Sequence, residues 1–85
     1  MPKTYTVYIL SNPQGILYKG ITENITRRLE QHNQGKSRWT REKGPWRVIY
    51  QEEYTTKKEA LKREKFFKSG KGRSELKELL SQNGA

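Results

Sequence analysis

The chain has 85 residues, and 31% of them are hydrophobic, so it has room for one small domain with a small core. Eighteen lysines and arginines oppose nine acidic residues, which gives a net charge of +9. Such an excess of positive charge favours a polyanionic partner, nucleic acid in particular. An anionic membrane is the competing partner, but membrane binding requires an amphipathic basic helix with a broad apolar face.

Several kinds of site are excluded because their residues are missing from the sequence. Disulfides, thiolate chemistry and cysteine-based zinc sites are excluded because there is no cysteine, and one histidine cannot complete a closed tetrahedral zinc site. A Ser-His-Asp triad is excluded because there is no aspartate. The N-terminus does not resemble a signal peptide, and no stretch approaches the roughly 18 apolar residues of a membrane span. We therefore expect a soluble, cytoplasmic protein with a single domain over residues 1–85.

The N-terminal part of the chain predicts a β-hairpin. Residues 4–11 are rich in β-branched and aromatic side chains and predict a strand, and residues 16–21 predict the returning strand. The turn between them is Asn12-Pro13-Gln14-Gly15, in which proline and glycine favour the required backbone angles. A three-residue loop that ends at Gly15 pairs residue 8 with residue 20. That register places on one face of the sheet Tyr8, Tyr18 and Gly20.

A helix is predicted next, capped by Thr22 or Asn24, running to about Asn33 and ended by Gly35. At about 100° per residue, one face of this helix carries Ile25, Arg28, Leu29 and His32. A cation and an imidazole therefore lie on the face that is expected to pack inward.

The rest of the chain predicts one more strand and two or three helices. Residues 36–45 predict a basic loop or one short helix, and residues 46–54 predict the third strand. A helix is predicted from Thr56 to about Ser69, with an inner face formed by Ala60, Leu61, Glu64 and Phe67. We expect Gly70-Lys71-Gly72 to break the chain before a last helix over residues 73–82, whose apolar stripe is Leu76, Leu79 and Leu80. The order β-β-α-α-β-α-α predicts an α+β domain with a three-stranded antiparallel sheet flanked by helices.

The polar residues on inward faces are typical of phosphodiester hydrolysis: Tyr8, Tyr18, Arg28, His32 and Glu64. A carboxylate can hold a hard divalent cation, and a guanidinium can neutralise phosphoryl oxygens. A tyrosine or a histidine can take a proton from the attacking water. The structural alternatives remain open, since each aromatic side chain can simply pack and Glu64 can form an ion pair with Arg28.

Two segments, Thr6-Val7-Tyr8 and Tyr18-Lys19-Gly20, resemble the two halves of the GIY-YIG nuclease signature. The resemblance runs from residue 5 to about residue 70 and is closest to the small, single-domain, excinuclease-like bacterial branch. It continues through Gly20-Ile21-Thr22, Asn24-Ile25, Arg27-Arg28-Leu29, His32-Asn33 and Ala60-Leu61-Lys62-Arg63-Glu64. The signature lacks its first glycine, where the chain has Thr6, and has Val7 and Lys19 in place of isoleucines.

The resemblance implies a role for each residue. Tyr8 and Tyr18 would position the attacking water or the phosphate, with Tyr18 a candidate general base and His32 a base or a base relay. Gly20 would allow a close approach of the backbone, and Arg28 would bind the scissile phosphate. Glu64 would hold one Mg²⁺ or Mn²⁺. Some family members use an asparagine beyond this glutamate, and the chain offers Asn83.

Basic and aromatic residues outside this set predict a nucleic-acid-binding surface. These residues are Lys19, Arg27, Lys36, Arg38, Trp39, Arg41, Lys43 and Lys62. For Trp46 we favour a place in the core, whereas Trp39 can either pack or stack on a base. The lysines of the helix over residues 56–69 form either a second phosphate-binding stripe or a solvated surface.

The sequence therefore predicts a metal-dependent endonuclease that hydrolyses DNA through a single metal ion, in a setting such as DNA repair. DNA is preferred over RNA, and a protein partner or a homodimer remains open. The alternatives are a nucleic-acid-binding module with weak or no catalysis and a structure-specific nuclease subunit that requires a partner.

Overall fold

The computed structural model describes residues 3–82 and has the α+β architecture that the sequence predicts. Its three strands are β1 (Tyr5–Ser11), β2 (Leu17–Thr22) and β3 (Arg47–Tyr54), which form one antiparallel sheet in the order β2-β1-β3. Its helices are α1 (Ile25–Asn33), between β2 and β3 in the chain, and α2 (Lys57–Lys68) and α3 (Gly70–Gln82), after β3. Within residues 3–82, none of these helices has the length and apolar character that crossing a membrane requires.

The hairpin of β1 and β2 has the predicted register, with Tyr8 opposite Gly20 and Leu10 opposite Tyr18. The Asn12 side-chain oxygen holds the turn, because it accepts hydrogen bonds from the backbone N–H groups of Gln14 at 3.1 Å and Ile16 at 2.7 Å. The two tyrosines therefore share one face of the sheet, as expected.

Strand β1 is the central strand and is buried on both faces. One face carries Val7 and Ile9, which pack in a cluster with side chains of α2 and α3, namely Ala60, Phe67 and Leu76. The other face carries Tyr8 and Leu10, which pack with Trp46 and with side chains of α1, namely Ile25 and Leu29. Helix α1 therefore covers the face that bears the two tyrosines, and α2 and α3 cover the opposite face.

Of the two caps predicted for α1, the structure uses Asn24. The Asn24 side chain accepts a hydrogen bond from the backbone N–H of Arg27 at the start of α1. Gly35 follows this helix with a φ of +76°, a left-handed conformation that favours glycine. Thr56 caps α2 by accepting from the backbone N–H of Glu59.

The structure corrects three details. The short helix allowed for residues 36–45 is absent, and residues 38–43 form turns. The Thr40 side chain is buried in the core, and the proline of Gly44-Pro45 does not allow a helix to continue. The glycines do not break the chain, since α3 begins at Gly70. A side chain at Gly72 would place its Cβ 1.7 Å from the Phe66 carbonyl oxygen, so glycine is required for this close turn between α2 and α3. Leu61 is 40% exposed, because the buried face of α2 is centred on Ala60 and Phe67.

Candidate active site

Tyr8 lies at the centre of the face covered by α1, with its side chain 1% exposed. Its hydroxyl forms a hydrogen bond of 2.9 Å with Nε2 of His32 and accepts one of 3.3 Å from Nε of Arg28. Burial raises the pKa of Tyr8 to about 12, although the hydrogen bond from Arg28 acts in the opposite direction. The phenol is therefore protonated at neutral pH.

His32, on the last turn of α1, uses both ring nitrogens inside the protein. Its Nδ1 lies 2.7 Å from the hydroxyl oxygen of Thr40, which in turn donates to the Ser37 carbonyl at 3.4 Å. This order makes Nδ1 the protonated nitrogen and leaves Nε2 to accept the proton of the Tyr8 hydroxyl. Burial, helped by the positive charge of Arg28, lowers the pKa of His32 to about 4, so the imidazole is neutral at physiological pH.

Gly20 makes room for the Tyr8 hydroxyl. It lies directly across the ladder from Tyr8, and a Cβ at this position would be 2.6 Å from the hydroxyl oxygen. That distance is too short for two non-bonded heavy atoms, so any larger residue would displace the phenol. The glycine is needed for this close approach.

Arg28 lies on α1 beside both tyrosines. Its Nη1 donates to the Gln31 side-chain oxygen at 3.1 Å, while its Nε holds the Tyr8 hydroxyl. The hydrogen bond with Tyr8, followed by smaller contributions that include Tyr18, raises the pKa of Arg28. The guanidinium is half-buried and lines a depression of about 240 Å³ together with Arg27 and Gln31, so its outer edge faces solvent.

Aromatic rings connect the buried pair of Tyr8 and His32 to the protein surface. The half-buried Tyr18 ring stands edge-on to His32, with 4.7 Å between the ring centroids, and its centroid is 5.6 Å from that of Trp39. Trp39 is 48% exposed, whereas Trp46 is in the core as predicted. The Lys43 ammonium lies 4.7 Å from the centroid of the Trp39 ring and donates to the Trp39 carbonyl at 2.8 Å.

Glu64 lies on α2, with its side chain 18% exposed. Within residues 3–81 its ion-pair partner is Lys68, at 3.5 Å, and not Arg28, so the alternative of a structural pair with Arg28 is wrong. Its negative charge still reaches Tyr8, where it adds to the rise in the pKa of the phenol. The structure therefore brings the two phenols, the guanidinium and the imidazole together around Tyr8, and Glu64 is connected to them through the effect of its charge on the pKa of Tyr8.

A single carboxylate is a suitable ligand for one hard divalent ion. Lys68 approaches one oxygen of Glu64, and the other oxygen has no hydrogen-bond partner in the described part of the chain. Mg²⁺ retains several waters and is commonly held by one or two carboxylates together with substrate phosphates. Residues 3–81 contain no cluster of three acidic, histidine or cysteine side chains, so a closed all-protein site is not available there.

The residues predicted to contact nucleic acid divide into two groups. One group is on α1 or in the segment that precedes β3, and consists of Arg27, Lys36, Arg38, Arg41 and Lys43. Lys19 and Lys62 are not part of it. Lys19 is on the opposite face of β2 beside Arg73, and Lys62 lies near Tyr54. Asn83 is outside the described residues.

Sequence reasoning missed two side chains that orient the site. Thr40 is completely buried and fixes the ring of His32, while Gln31 holds one end of the Arg28 guanidinium. Gln31 could have been found from its i+3 spacing to Arg28 on a helix. Thr40 lies in a turn segment, and its contact with His32 carries no periodic signal.

Comparison with known proteins identifies the family. The family model of the GIY-YIG catalytic domain matches residues 4–77. The UPF0213 protein of Staphylococcus aureus (strain Mu3) is 42% identical over 62 residues, which are 72% of this chain and 76% of that protein. The solution NMR structure of the UPF0213 protein BH0048 from Bacillus halodurans is 33% identical, has a TM-score of 0.56, and is matched over 89% of this chain and 84% of its own. Together with the sheet, the hairpin register and the group of side chains around Tyr8, these matches show that the chain belongs to the GIY-YIG nuclease family.

Proposed function

We propose that this protein is a divalent-metal-dependent endonuclease that hydrolyses phosphodiester bonds in DNA, with one Mg²⁺ or Mn²⁺ held by Glu64. The observation that carries the proposal is the continuous hydrogen-bonded row from Arg28 through Tyr8 and His32 to Thr40. Buried titratable groups with shifted pKa values that contact one another are typical of functional sites, which supports the proposal.

Arg28 binds the scissile phosphate. Its guanidinium is already fixed by Tyr8 on one side and by Gln31 on the other, so little freedom is lost when a phosphate arrives. The solvent-facing edge can donate to phosphoryl oxygens, where negative charge increases during the reaction.

The two tyrosines and His32 accept the proton of the attacking water or position the group that accepts it. The attacking water forms the new bond to phosphorus and loses a proton, and the bond to the leaving oxygen breaks as that oxygen gains one. Tyr18 is half-buried and can face this water, whereas Tyr8 is buried and orients the group through its hydroxyl. His32 has no free nitrogen, so it acts through Tyr8 as an acceptor for the phenol proton and is a positioning residue.

A divalent ion held at this site would supply a positive charge that stabilises the leaving oxygen. Glu64 is the residue that would hold it, and the substrate phosphate and waters would supply the remaining ligands.

DNA is the proposed polyanion because of the family and the charge. The net charge of +9 attracts the phosphate backbone, and the exposed ring of Trp39 beside Tyr18 offers a surface on which a base can stack. Arg27, Lys36, Arg38 and Arg41 are exposed and Lys43 lies over the Trp39 ring, which supports a role for these cations in binding phosphates.

One observation favours a second candidate, a nucleic-acid-binding module that does not cleave or that requires a partner to do so. The Lys68 ammonium lies 3.5 Å from Glu64 and opposes a divalent cation at the same carboxylate. A metal ion would have to displace this exposed lysine, which costs little because a surface pair of this kind contributes under about 1 kcal/mol.

The experiment that tests the proposal incubates the pure protein with labelled flap, branched, single-stranded and duplex DNA, each with Mg²⁺, Mn²⁺ or EDTA. Cleavage of at least one substrate with a metal, and none with EDTA, is the expected result. Tight binding without cleavage under every condition would support the second candidate instead.

A further inference from the structure

A group of cations lies on the face of β2 that points away from the two tyrosines. Lys19 is half-buried there, close to Lys68 and Arg73. The groove beside it has a volume of about 280 Å³. We call it the basic groove, and it is lined by Leu17, Lys19, Arg73, Leu76, Lys77 and Leu80.

The positive charge in the basic groove is not compensated by the protein. Within residues 3–81, no carboxylate lies within ion-pair distance of Lys19, Arg73 or Lys77. Burial, and then the charges of Arg73 and Lys68, lower the pKa of Lys19. Holding like charges together around a partly apolar cleft costs free energy, which an anionic ligand would return.

We infer that the basic groove binds the phosphate backbone of the nucleic-acid strand beyond the candidate active site. The inference rests on the proposed function and assigns to it a second contact region that includes Arg73 and Lys77. Lys68 connects the two regions, because it pairs with Glu64 and also lies near Lys19.

The composition of the groove favours a nucleic-acid strand over the other anionic partners. Leu76 is buried against the sheet, so α3 has no broad apolar face to insert into an anionic membrane. An acidic peptide would be attracted by the same charges, but nothing connects such a peptide to Glu64. A strand that is held at Arg28 and Glu64 can continue past Lys68 into the groove, where its phosphates meet cations and its sugars meet leucine side chains.

This arrangement predicts a dependence on substrate length. A short oligonucleotide occupies the candidate active site alone and does not use the groove, whereas a long one gains phosphate contacts with Arg73 and Lys77. Each lost contact should lower the salt dependence of binding by about one unit of log–log slope.

The test compares a double variant, Arg73→Gln with Lys77→Gln, with a charge-matched control, Lys58→Gln with Lys71→Gln. All four side chains are exposed, and none forms an ion pair within the described residues, so neither variant is expected to melt at a lower temperature than the unaltered protein. Binding is measured against salt in EDTA, and cleavage in Mn²⁺, with DNA strands of about 4 and about 20 nucleotides.

The groove variant should bind the long strand about tenfold more weakly at low salt, with a slope smaller by about one to two, while both variants treat the short strand alike. Restoring the charge with Arg73→Lys and Lys77→Arg should restore binding. The inference would be overturned if the groove variant and the control lost equal DNA affinity, or if the groove variant also bound the short strand more weakly. It would also be overturned if the groove variant bound DNA normally but lost affinity for anionic lipid vesicles. If the unaltered protein neither binds nor cleaves DNA, the proposed function itself is wrong. A protein that cleaves DNA but is indifferent to the groove variant overturns the inference alone.

Discussion

The hydroxyl of Tyr8 lies 2.9 Å from Nε2 of His32, although the two residues are 24 positions apart and come from different elements. Both side chains are 1% exposed, and burial favours the uncharged form of each. The hydrogen bond therefore joins two uncharged groups at physiological pH, and the positively charged Arg28 donates a further hydrogen bond to the Tyr8 hydroxyl. This buried pair is the centre of the candidate site.

Replacing Tyr8 by phenylalanine keeps the ring in the core and removes the hydroxyl. His32 Nε2 and Arg28 Nε then lose a partner, so the free energy of unfolding should fall by about 1–3 kcal/mol. Cleavage should fall by at least about 100-fold, while affinity for DNA should change little because the basic surface is retained. Tyr5→Phe, on the opposite face of the sheet, is the control for cleavage. Equal cleavage rates in the two variants would remove Tyr8 from the mechanism.

Replacing Gly20 by alanine should move the Tyr8 phenol, since the added Cβ would lie 2.6 Å from its oxygen. We expect a loss of about 1–3 kcal/mol in stability together with a loss of cleavage. Gly70→Ala is the matched control, because no atom lies within 4 Å of its added Cβ. That variant should be unchanged or more stable by up to about 1 kcal/mol. Stability is measured by thermal melts and activity by cleavage assays on both variants. If Gly20→Ala and Gly70→Ala had similar stability and activity, the close contact between Gly20 and the Tyr8 hydroxyl would be contradicted.

Acid should destabilise the protein through His32. The folded state keeps this imidazole neutral down to about pH 4, whereas the unfolded chain protonates it near 6.5. Stability from this group is therefore complete above pH 6.5 and is lost as pH falls towards 4, by at most about 3 kcal/mol. The chain has one histidine, so its ring signals in an NMR titration are unambiguous. A midpoint near pH 6.5 in the folded protein would show that the imidazole is not shielded from water.

Replacing Glu64 by glutamine should separate an enzyme from a binding module. The lost pair with the exposed Lys68 should change stability by less than about 1 kcal/mol. DNA binding should persist, whereas cleavage should fall by at least about 100-fold because the metal ligand is gone. Mn²⁺ binding, followed by electron paramagnetic resonance, should weaken in parallel. Glu53→Gln is the control, because Glu53 is exposed and has no ion-pair partner within the described residues. Undiminished cleavage in the Glu64 variant would show that this carboxylate is not the metal ligand.

Trp39 should report DNA binding by its fluorescence. It is exposed beside Tyr18, whereas Trp46 is buried and should be insensitive to the ligand. Stacking of a base should quench the emission of the unaltered protein, and Trp39→Phe should abolish most of that change. Trp39→Ala should weaken binding by about 1–3 kcal/mol. Quenching that survives in the phenylalanine variant would assign the signal to Trp46 and contradict the proposed stacking.

The sequence by itself determined the elements and the chemical inventory. Turn residues at Asn12–Gly15 set the hairpin register, and capping residues limited the start of α1 to Thr22 or Asn24, because these signals act within a few residues. The periodicity of α1 placed Arg28 and His32 on the inward face. The motifs of the two β1 and β2 tyrosines indicated the family that the comparisons confirm.

Only the tertiary structure decided which groups meet. A period of 3.6 or of 2 tells which face a residue occupies but not which element lies opposite, so the contact of Thr40 with His32 had no signal in the sequence. The ion pair of Glu64 with Lys68, in contrast, has the i,i+4 spacing of a helical pair and could have been found from the sequence. Lys19 was predicted to contact nucleic acid. The alternation of side chains along β2 places it on the face opposite Tyr18, and only the packing of α3 brings Arg73 beside it there. The exposure of Trp39 likewise depends on how the segment before β3 packs against α1. Long-range packing of the sheet and helices, and not local preference, fixed the geometry of the candidate site.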